Sequence, residues 1–242
     1  RTVSGKLKRI EINRETFEAL VEKRLRRYAN FSFQQPYQQA FYYRSLLLEH
    51  PKYSLWDYER EIRNITLKDL KKFASRLYGK TFIEGFIYGN LWSDTAEEAV
   101  DLLSVELKGG ELPNAERLRE EVIQINPGTK HTLVKKMEIE NSAAVIEVQL
   151  DQTTPRLRGT LMVLDTALQP QFYNELRTSQ QLGYIVNSGM AELKKTLSLI
   201  FLVQSGKYDA ATLEQKIDAF LPGFFSTLSE IPKEELETLK ES

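Results

Sequence analysis

The chain has 242 residues, 41% hydrophobic, 28% charged and 10% aromatic, with a formal net charge of −1 and no cysteine. This is globular composition at a length that suits one large domain or two ordinary ones. A charge near zero gives no long-range attraction to nucleic acid or anionic membranes. No apolar run approaches the ~20 residues that span a bilayer. Without cysteine, disulfides, thiolate catalysis and cysteine zinc sites are excluded.

The first residues, RTVSGKLKRIEINRE, contain no apolar leader core, so no signal peptide is expected there. Both ends read as interrupted, since IPKEELETLKES stops where a helix gains length. Asn13 is placed to cap a helix whose Phe17, Leu20, Val21, Leu25 and Tyr28 follow the 3.6-residue period. Pro36 suits the first turn of a second helix, stopped by Pro51. Ser54 with Asp57, and Thr66 with Asp69, predict capping boxes opening two more helices, the second ended by Gly79. TFIEGFIYGN is expected as a buried strand. A helix from Ser93 to about Leu107 follows, ended by Gly109–Gly110.

Beyond the polar connector GGELPNAERL, the segments EEVIQI, HTLVKKMEI and AAVIEVQL are expected as strands. A helix follows from about Arg156 through LMVLDTALQPQFYNELRTSQQ, broken or kinked at Pro170. Two strands, YIVNSGMAE and TLSLIFLVQS, are joined by a turn at LKK. A last long helix from Asp209 to near Ser229 puts Leu213, Ile217, Phe220, Leu221, Phe224 and Phe225 on one face, with a bend at Pro222. The expected fold is α+β, an antiparallel sheet covered by helices, in two domains over residues 1–112 and 113–242.

Few residues offer chemistry. His50 and His131 are the two histidines, far apart and without a histidine one helical turn away, so neither HExxH nor HxxEH is present and no metal site is expected. His50 reads as a helix C-terminal residue and His131 as an exposed turn residue. GxSxG and phosphate-cradling glycine loops are missing. EKRLRR shares its helix with Glu18 and Glu22 and reads as a solvated face. The segment NELRTSQQLGYIV differs. Arg177 has no acid at helical spacing, Gly183 is expected as a left-handed helix-terminating residue, and Tyr184 opens the next strand. Arg177 and Tyr184 are thus able to project into one space. The plainer alternative pairs Arg177 with a distant acid and half-buries Tyr184 as a strand tyrosine.

LRTSQQLGYIV resembles the segment near the start of the last domain of the insulinase/pitrilysin family of metallopeptidases, whose pattern there ends L-R-T-x-E-Q-L-G-Y. QQPYQQAFYYRSLL, ITLKDLKKF and IEGFIYGNL resemble that family's third domain in the same order, and LSLIFLVQSGKY the strand after the Arg/Tyr segment. The resemblance runs from about residue 13 to 236. It implies the latter part of the third domain at 1–112 and the first part of the fourth at 113–242, within an enzyme of four related domains enclosing a chamber. Zinc and its HxxEH motif would lie in the N-terminal half of the same protein, so this segment alone would be inactive. It also implies a peptide substrate, Arg177 as a substrate-carbonyl ligand and Tyr184 as catalytic oxyanion donor. Gln180 stands where the family has Glu, an expected change of a local hydrogen bond. No nucleic-acid or membrane partner is expected; periplasm and cytoplasm both stay open. Two other readings stand beside this: a non-catalytic subunit or scaffold binding peptides or a catalytic partner, and an unrelated α+β binding module.

Overall fold

The computed structural model describes residues 12–107, 109–228 and 230–241. They form two compact units, one combining the stretch up to Ala29 with Ser54–Arg119, the other Asn30–Tyr53 with Glu120–Ser242.

The first unit is helical: α1 (Arg14–Ala29), α3 (Leu55–Asn64), α4 (Leu67–Arg76) and α5 (Ser93–Leu107), with α2 (Pro36–Leu48) belonging to the other unit. The caps are those the sequence predicts. Thr16 donates its backbone N–H to Asn13 Oδ1 at 2.8 Å, and both Ser54/Asp57 and Thr66/Asp69 form reciprocal capping boxes. Each satisfies orphan donors of its first helical turn. Tyr28 of α1 stacks on Tyr58 of α3 with centroids 6.5 Å apart.

TFIEGFIYGN departs from expectation. Only β2 (Lys80–Thr81) lies in a ladder, parallel to β3 (Gly110–Glu111). Phe82–Tyr88 continue without strand pairing, and Phe86 and Tyr88 are 91% and 90% exposed rather than buried. Strand-forming side chains do not make a strand without a neighbour to complete the backbone hydrogen bonds. Among the described residues none runs beside this segment. Phe82 is instead covered by the guanidinium of Arg117, 3.3 Å from its ring centroid.

The second unit carries α2 (Pro36–Leu48), β1 (Glu49–His50), β4 (Glu121–Val122), β5 (Ser142–Gln152), α6 (Pro155–Tyr173), a π-helical turn (Asn174–Ser179), β6 (Ile185–Leu193), β7 (Thr196–Ser205), α7 (Ala210–Leu228) and α8 (Lys233–Glu241). β5, β7 and β6 form an antiparallel sheet in that order. The α+β expectation is borne out. β7 is central and almost wholly buried. Its Leu197, Leu199, Phe201 and Val203 meet Leu168 and Phe172 of α6 and Leu213 and Ile217 of α7. Phe172 packs against Phe201 at 5.5 Å and Phe220 at 5.3 Å. Burial of each such side chain is worth roughly 1.5–3 kcal/mol. On β5, Glu147 is held by both Arg44 Nε and Nη2 of α2, the latter at 2.7 Å.

Two expected strands shrink here. EEVIQI keeps only β4, paired antiparallel with β1, and the described residues of HTLVKKMEI contain no strand. Ile123 and Ile125 are fastened through their backbone to the Gln149 side chain of β5 instead. His50 sits in β1 rather than at a helix end, and His131 is exposed outside regular structure.

Candidate functional site

The site is built where α6 meets β6. Thr154 caps α6, accepting from Leu157 N–H at 3.1 Å, and Pro155 takes the first turn, where a missing N–H costs nothing. Pro170 lies inside the helix without ending it. The next turn widens into a π-helix over Asn174–Ser179, with Gln180 N–H bonded to the Glu175 carbonyl at 2.9 Å. Such widened turns concentrate at functional sites. This one sinks Leu176 completely and leaves Arg177 half-buried beside it.

The chain then reverses through Gln181, whose φ of 51° is left-handed. Gly183 was expected to fill that role. It has no positive φ, and its glycine is required for another reason: a Cβ there would meet the carbonyl oxygen of Gln204 at 1.8 Å. Gly183 lets the returning chain lie against β7, which sets the position of Tyr184.

Tyr184 is 91% exposed, and the Arg177 Cζ lies 4.9 Å from its ring centroid. The structure therefore brings the two predicted residues together. Tyr184 is exposed rather than half-buried, and among the described residues no acid forms an ion pair with Arg177. Glu175, two positions from Arg177, is engaged by the Gln180 amide at 2.9 Å. A glutamate at position 180 would set two carboxylates against each other, whereas glutamine donates. The guanidinium itself lies over an aromatic ring, a favourable cation–π arrangement.

Asp165 went unnoticed in the sequence. It shares a helical stripe with Leu161, Leu168 and Phe172, all buried, and an acid within that spacing is the signal that would have found it. Burial pushes its carboxyl above the ordinary range, opposed by a hydrogen bond from the Met190 backbone. Among the described residues, no three His, Cys, Asp or Glu side chains come together to hold a metal ion, so these residues do not fit a zinc site. No described helix is long and apolar enough to cross a membrane.

Residues 1–61 match a family model described as "Middle or third domain of peptidase_M16". Residues 163–242 match "PQQ synthase PqqF-like, C-terminal lobe domain 4". The chain is 27% identical over 247 residues to "Insulin-degrading enzyme-like 1, peroxisomal" of Arabidopsis thaliana, covering 98% of this chain and 25% of that protein. It is 26% identical over 234 residues to human insulin-degrading enzyme, covering 95% and 23%. The crystal structure of pitrilysin superposes with a TM-score of 0.75 at 19% identity, over 96% of this chain and 24% of that one. The chain spans about a quarter of the length of these relatives.

Proposed function

We propose, taking as premise that this chain is of insulinase/pitrilysin type, that it forms part of the peptide-binding wall of a metallopeptidase. In this reading residues 1–112 belong to the third domain of the whole protein and 113–242 to the fourth. Zinc chemistry belongs to the other half of the protein, and the residues of this chain act on the peptide alone.

The observation that carries the reading is the stacking of Arg177 on Tyr184 at 4.9 Å, with the tyrosine open to a ligand. The guanidinium fork is a rigid donor set, able to hold a peptide carbonyl in a fixed orientation. Tyr184 then presents a hydroxyl donor at the oxygen that gains negative charge as the carbonyl becomes tetrahedral. A donor placed before the charge develops costs no reorganisation during reaction, and is worth about 10²–10³ in rate. Gly183 and the π-helical turn fix both groups from the backbone side.

Peptide binding by Arg177→Ala and Arg177→Lys variants of the intact protein tests the assignment. Both should bind an extended peptide more weakly, by roughly ten- to a hundredfold for alanine, at the ~1.5–3 kcal/mol of a charge-assisted hydrogen bond. Unchanged affinity in both would contradict it and favour a non-catalytic scaffold.

A further inference from the structure

Both backbone neighbours of Tyr184 lie against one residue of β7. Ile185 pairs with Gln204 in the β6–β7 ladder, and a Cβ on Gly183 would meet the Gln204 carbonyl oxygen at 1.8 Å. Gln204 therefore brackets the tyrosine. On its other side it is paired with Ala143 of β5, so its backbone is fixed in mid-sheet. Its side chain is buried. Val203 packs into the core, and by the alternation of a strand Gln204 points to the opposite face of the sheet.

There it meets the start of α2. Pro36 opens that helix without an N–H, so Tyr37 carries the first donor that has no partner within the helix. Gln204 Oε1 accepts this donor at 3.1 Å, and Gln204 Nε2 donates to Gln35 Oε1 at 2.9 Å. Gln35 N–H in turn donates to Gln38 Oε1 at 3.1 Å. A buried amide in a central strand thus completes the cap of a helix 167 residues away in sequence. An apolar side chain in its place would leave the Tyr37 donor without that acceptor.

We propose that Gln204 is a positioning residue: by joining the α2 N-terminus to the backbone on either side of Tyr184, it sets where the tyrosine hydroxyl stands. This rests on the oxyanion reading of Tyr184 above. Arg177 is held separately, by the π-helical turn that precedes the reversal at Gln181. Loosening Gln204 therefore moves the hydroxyl and leaves the peptide-binding guanidinium in place. The signature is a loss in kcat with little change in KM.

The test is a double-mutant cycle on the intact protein with a fluorogenic peptide, crossing Gln204→Met with Tyr184→Phe. Methionine keeps the side-chain length and removes both hydrogen bonds. Gln204→Met is expected to lower kcat about tenfold, within the ~10²-fold that a 1 Å misplacement can cost, with KM changed less than about twofold. In the Tyr184→Phe background, where no hydroxyl is left to misplace, it should cost no more than about twofold, because coupled residues do not add. Gln35→Ala, at an exposed position, removes one of the two bonds and guards against a Gln204→Met protein that fails to fold. It should lower kcat about threefold, again only while the hydroxyl is present. Unchanged kcat in both variants, or losses of equal size in both backgrounds, would overturn the proposal and leave the oxyanion role of Tyr184 standing. A Tyr184→Phe protein with the wild-type kcat would overturn both.

Discussion

Gly183 lies so close to the Gln204 carbonyl that a single added carbon would come within 1.8 Å of it. Both partners are backbone, and Gln204 is doubly anchored, its Oε1 accepting from Tyr37 N–H at 3.1 Å and its Nε2 donating to Gln35 at 2.9 Å. Neither side has room to yield. Gly183→Ala should therefore destabilise the protein by about 1–3 kcal/mol or more, as overpacking does, and displace Tyr184. Thermal unfolding together with peptide turnover checks this; an unchanged Tm would mean the reversal is looser than described.

The Arg44–Glu147 pair joins α2 to the central sheet, with side chains only 17% and 9% exposed. Removing one member strands the other charge in a dry environment. Arg44→Ala should cost about 3–5 kcal/mol in urea unfolding, and replacing both by well-packed apolar residues should recover most of it. A single variant as stable as wild type would contradict the burial argument.

Asp165 predicts a pH dependence of definite sign. Its folded carboxyl titrates above the unfolded value, chiefly through burial. At low pH it is protonated in both states and costs nothing. As pH rises through the unfolded value near 3.8 and past the folded one, ionisation destabilises the folded state progressively. Asp165→Asn should match wild type near pH 3 and exceed it at neutral pH. The helix-capping Asp57, Asp69 and Asp209 are held below their ordinary value by their cap hydrogen bonds. They act with the opposite sign, but equally in both proteins, so they cancel in the difference. Tm measured across pH decides; a constant gap, or one that closes at neutral pH, would refute the sign.

What the sequence disclosed was local. Caps depend on side chains three residues apart, so Ser54/Asp57 and Thr66/Asp69 were legible. The β6–β7 hairpin was too, because its strands are joined by two residues, with Lys194 at a φ of 58°. The Arg177–Tyr184 meeting was legible as a possibility, since a short reversal separates them. What failed needed distant partners. Phe82–Tyr88 has strand chemistry but pairs with no strand among the described residues, and residues around His131 likewise. The left-handed position fell on Gln181 because Gly183 was needed for its bare Cα against β7, a contact over twenty residues away in sequence. Asp165 was overlooked although its place on the apolar stripe was legible, because the strand that supplies its Met190 partner lies some twenty-five residues on.

The most direct test is kcat/KM of the intact protein on a fluorogenic peptide, wild type against Tyr184→Phe. Removal of the hydroxyl preserves the ring against Arg177, so binding should persist. The account predicts a loss of about 10²–10³ in rate, roughly 2.7–4 kcal/mol of transition-state stabilisation. An unchanged kcat/KM would show that Tyr184 serves only as the surface on which Arg177 rests, and the oxyanion role would be withdrawn.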